Sequence, residues 1–104
     1  MGAYSKVPSD YFASWSEDAT NITVPIASIS GLTAAEADGT TGDIAEILFD
    51  LLNQVYDTYK ANTAPTKWSI FRSTWVDELT NKNTVSFVIS FITTVGSQTV
   101  DDEA

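Results

Sequence analysis

NTVSFVISFITTVG, residues 83–96, is the stretch on which the fold turns. Its alternation reads as a β-strand. One set of alternate positions is Val85, Phe87, Ile89, Phe91, Thr93 and Val95, a set that belongs in a core. The other is Ser86, Val88, Ser90, Ile92 and Thr94. That second set is too apolar for an open solvated face and too polar for a second core.

Upstream, KWSIFRSTWVDEL (67–79) has the same alternating character, and the polar run TNKN separates the two. The pair predicts a β-hairpin. If Thr80 pairs with Thr84 across a three-residue loop, Leu79, Trp75 and Phe71 share a face with Val85, Phe87, Ile89 and Phe91. The opposite face then gathers Arg72, Thr74, Glu78, Ser86, Ser90 and Thr94, with Trp68, Ile70, Val76, Val88 and Ile92 among them. A one-residue slip would set Arg72 and Glu78 among the phenylalanines, where an unpaired charge is costly. The first register is therefore the expected one.

The strongest element precedes the hairpin. In DIAEILFDLLNQVYDTYKAN, residues 43–62, Asp43 followed by Glu46 forms an N-terminal cap. At ~100° per residue the apolar positions, from Ile44 to Tyr59, cover an arc of roughly 200°, about twice what a helix on one sheet buries. The expected core joins Leu48, Leu51 and Val55 to Phe87, Ile89 and Phe91. Something besides one sheet must cover the flanks of the helix, near Phe49 and Tyr56.

Nearer the N-terminus, TNITVPIASIS (20–30) alternates Ile22, Val24 and Ile26 and predicts a third strand, at a sheet edge or bulged at Pro25, which has no N–H to give. Thr33 and Glu36 form a capping box and predict one helical turn before Gly39. Residues 1–19 read as an arm carrying Tyr11, Phe12 and Trp15, packed on its own domain or on a neighbouring subunit. Residues 97–104 read as an acidic tail. Together these elements predict a single α+β domain over 1–104. Its expected form is an antiparallel sheet of about three strands, in the order β-α-β-β, with one long amphipathic helix packed on one face.

Composition narrows the chemistry. The 104 residues are 43% hydrophobic and 12% aromatic, enough for a real core. Only 18% are charged, and Ser and Thr make up roughly a quarter of the chain. Five Lys and Arg against fourteen Asp and Glu give a net charge of −9, which disfavours direct binding to nucleic acid or to an anionic membrane. The chain has no Cys and no His. That excludes disulfides, thiolate or imidazole zinc sites, and Cys or His catalysis.

No signal peptide or transmembrane segment is visible, so a soluble protein is expected. Asn21-Ile22-Thr23 matches a glycosylation sequon, a triplet that chance often produces.

Acid–base work without His would fall to carboxylates. Glu46, Asp50 and Asp57 lie along one stripe of the helix, and they read as its solvated face rather than a metal or catalytic pair. The runs Glu17-Asp18, Asp77-Glu78 and Asp101-Asp102-Glu103 lack the spacing of a calcium loop. No G-x-S-x-G, P-loop, G-x-G-x-x-G or S-x-x-K pattern places a base beside a hydroxyl. Neither a catalytic residue nor a cofactor or metal is expected.

What the residues do point to is contact surface. Trp68, Ile70, Arg72, Val76, Val88 and Ile92 on the sheet are the interface candidates. Phe49 and Tyr56 on the helix join them, as do Tyr11, Phe12 and Trp15 on the arm. The expected function is a non-enzymatic structural or assembly protein acting as a homo-oligomer, for instance a component of a virion, phage particle or appendage. The alternative is an acidic binding protein, an inhibitor or nucleic-acid mimic that meets a basic partner. A small carboxylate-using hydrolase or ligand carrier ranks last.

Overall fold

A computed structural model describes residues 7–61, 65, 67–96 and 99–100. The chain divides into two units, Met1–Thr63 and Ala64–Ala104. Elements run as a 3₁₀ turn at Pro8–Asp10, β1 (Ser16–Glu17), β2 (Ile22–Thr23), a 3₁₀ turn at Ile26–Ser28, α1 (Ile44–Ala61), β3 (Trp68–Asp77) and β4 (Lys82–Phe91). The class is α+β.

Among the described residues, in place of one three-stranded sheet there are two separate two-stranded antiparallel sheets, β1–β2 and β3–β4. The expected strand over 20–30 shrinks to Ile22–Thr23, which pairs with Ser16–Glu17. Two local devices explain this. The Asp18 carboxylate accepts the N–H groups of Thr20 and Asn21, both at 2.7 Å, and folds the chain back. Pro25 then ends the ladder, lacking a donor, and its φ of −60° leads directly into the 3₁₀ turn.

The local helix signals are obeyed. Asp43 Oδ1 accepts from the N–H of Ala45 at 2.9 Å and of Glu46 at 3.4 Å, and α1 begins at Ile44. Thr33 and Glu36 form their reciprocal box, with Thr33 N–H to Glu36 Oε1 at 3.0 Å and Glu36 N–H to Thr33 Oγ1 at 3.2 Å. Asn62, where the sequence reading ended the helix, lies outside the described residues.

The hairpin register differs from the expected one. β3 pairs with β4 from Trp68↔Phe91 to Asp77↔Lys82, over a four-residue loop, Glu78–Asn81. Asp77 Oδ1 accepts the Leu79 N–H at 3.0 Å, and Asn81 takes the left-handed conformation with φ 56°. Asp and Asn are the residues suited to those two places in a turn. The loop thus opens five residues earlier in the strand sum than expected, an odd shift, and every cross-strand partnership changes face. Arg72 lies opposite Phe87, the arrangement the sequence reading rejected. The charge is tolerated because Arg72 is only half-buried and its stem can lie along the neighbouring apolar groups. Leu79, expected in the core, sits at the loop tip at 98% exposure.

Among the described residues the buried hydrophobic side chains are Phe12 and Ile29 in the first unit and Ile70 in the second. Phe12 packs its ring on Trp15 with centroids 5.8 Å apart. The expected common core is corrected here too: Leu48, Ile89 and Phe91 are exposed. The predicted acidic tail falls mostly outside the described residues; within it, Val100 bridges antiparallel to Thr93.

Candidate interaction surface

Alternation along the hairpin defines two faces. Trp68, Ile70, Arg72, Thr74 and Val76 share one with Phe91, Ile89, Phe87, Val85 and Asn83. Phe71 and Trp75 share the other with Val88, and Ile92 continues it through the bond from its N–H to the Lys67 carbonyl at 2.9 Å. On this second face Phe71 and Val88 lie directly opposite each other at 62% and 58% exposure, with Trp75 at 54% and Ile92 at 51%. The residues between them, Ser69, Ser73, Ser86 and Ser90, are small hydroxyls. The result is a surface of raised apolar side chains over a low polar floor.

The Ile92–Lys67 bond also sets the phase of the ladder. Hydrogen-bonded pairs alternate with non-bonded pairs along antiparallel strands. Counting from 67/92, the bonded pairs are 69/90, 71/88, 73/86, 75/84 and 77/82. The backbone N–H and C=O groups of Trp68, Ile70, Arg72, Thr74 and Val76 therefore point away from β4, toward the outer edge of β3. Among the described residues no backbone bond from another segment reaches Ile70, Thr74 or Val76 on that edge.

In the first unit, the feature that organises the helix is Gln54. Its Nε2 donates to the carbonyls of Tyr11, at 3.0 Å, and Ser28, and its Oε1 accepts the Ser30 N–H at 3.0 Å. One amide thus ties the N-terminal arm and the Ile26–Ser30 turn to α1. The turn lies over the stripe read from sequence as solvated. Gly31, with φ +89°, backs onto Asp50 so closely that a Cβ there would lie 3.4 Å from Oδ1. Asp50 Oδ2 is shielded from water and accepts no hydrogen bond from a standing donor.

Glu46, one turn earlier, is held above the ordinary carboxyl range by the negative charge of Asp50 and a carboxyl–carboxylate bond to it, with Glu36 and Asp43 adding to the effect. When protonated, Glu46 can donate to Asp50. Meanwhile Ile44, Leu48 and Phe49 stand exposed at 68%, 50% and 43%. The covered and open sides of the N-terminal half of α1 are thus partly the reverse of what amphipathicity alone predicts.

The loop entering the helix is also self-satisfied. Asp38 Oδ1 accepts the N–H groups of Thr40 and Thr41, each at 2.9 Å, and the Thr40 hydroxyl at 3.0 Å. These bonds lower its pKa to about 2, the Thr40 amide contributing most. A depression of about 280 Å³ opens beside this loop, lined by Asp38, Thr40, Asp43 and Ile47 among others. Among the described residues no group of three or more carboxylates gathers to ligate a metal, and no helix is long and apolar enough to cross a membrane.

The structure distributes the sequence-derived interface residues unevenly. Trp68, Ile70, Arg72 and Val76 fall on one hairpin face, while Val88 and Ile92 fall on the other. Ile70 and Phe12 are buried within the chain. Tyr11, Trp15, Tyr56, Trp68 and Arg72 are half-buried, and Phe49, Val76, Val88 and Ile92 are exposed. Phe71 and Trp75, which the sequence reading assigned to the core, are instead exposed. Their signal was the turn chemistry of Asp77 and Asn81, which fixes the register. Comparison with protein-family models, curated proteins and solved structures finds no match to this chain.

Proposed function

We propose that the chain is a non-enzymatic assembly module that works as a homo-oligomer through its β3–β4 hairpin. The observation that carries this reading is the open face bearing Phe71, Trp75, Val88 and Ile92, each more than half exposed. A two-stranded hairpin is marginal by itself in water and gains stability by covering such a face or adding strands.

Charge favours a second copy of the same hairpin as the cover. Residues 7–61 hold nine carboxylates against the single Lys60, so two first units repel each other. Residues 67–91 hold Lys67, Arg72 and Lys82 against Asp77 and Glu78, and hairpins can meet without that penalty. A virion or appendage component is the setting this reading suits. Light scattering on a sizing column at tens of micromolar tests it: a mass of two or more chains is expected, and Phe71→Ser with Trp75→Ser should shift it toward one. A native chain that stays monomeric overturns the reading.

The acidic first unit supports a second reading, a monomeric binder of a basic partner. Salt-sensitive capture of a polycation by a monomer would favour it.

A further inference from the structure

We infer that two copies of the hairpin stack face to face and antiparallel, with Phe71 and Trp75 of each seated on Ser73 and Ser69 of the other. This rests on the self-association proposed above and specifies how the two faces fit.

The open face is banded. Cross-strand partners on it run Ser69/Ser90, Phe71/Val88, Ser73/Ser86, Trp75/Thr84 and Asp77/Lys82. From Ser69 to Trp75, serine bands alternate with bulky ones, each step being two residues, about 7 Å along the strands. No bulge in the ladder breaks this spacing. Phe71, Trp75 and Val88 stand more than half exposed, whereas Ser73 and Ser86 between them are half-buried. Each serine band is therefore a trough between raised side chains.

Two-fold symmetry leaves few ways to close such faces. An axis along the strands sets each band at the same height in both copies: Phe71 meets Val88 and Ser73 meets Ser86, bulk on bulk with a void between. An axis across the strands turns the second copy end for end, and each contact occurs twice. Centred on the Phe71 or the Ser73 band, it again sets aromatic on aromatic. Centred midway between them, it seats Phe71 on Ser73, Val88 on Ser86 and Trp75 on Ser69. Moving that axis by one band puts Phe71 on Asp77 or carries Trp75 beyond the start of β3. The midway axis alone seats all three bulky side chains on small ones, the interdigitation by which two sheets pack without voids. Charge agrees with it. Asp77 of each copy falls over Lys67 of the other, which the Ile92 bond keeps in phase with the ladder.

Moving the bulk from one band to the next tests the fit. Ser73→Phe adds apolar surface but fills the trough, so light scattering over a concentration series should show association weakened about tenfold or more. Phe71→Ser should weaken it likewise. Combining the two sets one aromatic against one serine again and should return association to within about threefold of native. A milder probe keeps the native packing: the chain has no Cys, so Ser73→Cys supplies a single thiol in the trough. Its alkylation should be slowed about tenfold or more in the oligomer relative to dilute monomer, whereas Thr74→Cys, on the opposite face, should react alike in both. An oligomer whose Ser73→Cys thiol reacts as fast as in the monomer, or that Ser73→Phe strengthens, overturns the stacked faces while leaving self-association standing. A monomeric native chain overturns both.

Discussion

Replacing Gln54 by Ala removes one side chain and three hydrogen bonds at once. Two of them, from Nε2 to the Tyr11 and Ser28 carbonyls, are part-buried; the third, to the Ser30 amide, is exposed. Each part-buried bond contributes about 1 kcal/mol net, and the exposed one contributes less. Helix propensity moves the other way, because Ala is the better helix former by a few tenths of a kcal/mol. The expected loss is about 2 kcal/mol. It should appear in urea unfolding followed by the helical circular dichroism signal, as a lower midpoint at constant slope. Gln54→Glu sharpens the test, since a carboxylate keeps the acceptor for Ser30 but turns its other oxygen against two carbonyls. It should cost at least as much as Ala. A loss below about 0.5 kcal/mol for either variant would show that water replaces the amide and that the arm is not held by it.

Other perturbations address separate parts of the first unit. Glu46, held above its ordinary value of 4.5 chiefly by Asp50, contributes stability that is fully present below that value and lost as pH rises through its folded pKa. Glu46→Gln should therefore raise the urea midpoint at pH 7, supplying Asp50 with a permanent N–H donor, and the gain should vanish below pH 4.5; equal midpoints at pH 7 would refute the pairing. Gly42→Ala should cost about 1–3 kcal/mol, because a Cβ there overlaps the carbonyl oxygens of Glu36 and Asp38. A neutral result in thermal melts would mean that the loop simply moves aside.

Short-range chemistry made part of this fold readable in advance. Asp43 and the Thr33–Glu36 box act on amides two or three residues away, so their neighbours in the chain suffice to identify them. The long helix was equally plain from its period. The hairpin face was not, because both alternate sets of β4 carry aliphatic groups and period-two patterning cannot rank them. Aversion to burying Arg72 then outweighed the better signal, an Asp and an Asn spaced to close a four-residue loop. Gln54 was illegible for a different reason. Its partners lie 24, 26 and 43 residues away, and nothing local distinguishes it from any polar residue bordering an apolar arc.

Those same separations bear on the order in which the chain acquires its structure. The hairpin closes over four residues, a microsecond event. Gln54 must instead gather segments well upstream of it, and the entropy of closing such loops slows the step more than it weakens the product. Synthesis from the N-terminus compensates. Gln54 and all of its partners precede Trp68 in the chain, so they leave the ribosome ahead of β3 and β4. The hairpin thus emerges behind a segment bearing nine carboxylates. If chains associate through the hairpin, as proposed, the charge on that segment opposes contact between nascent neighbours.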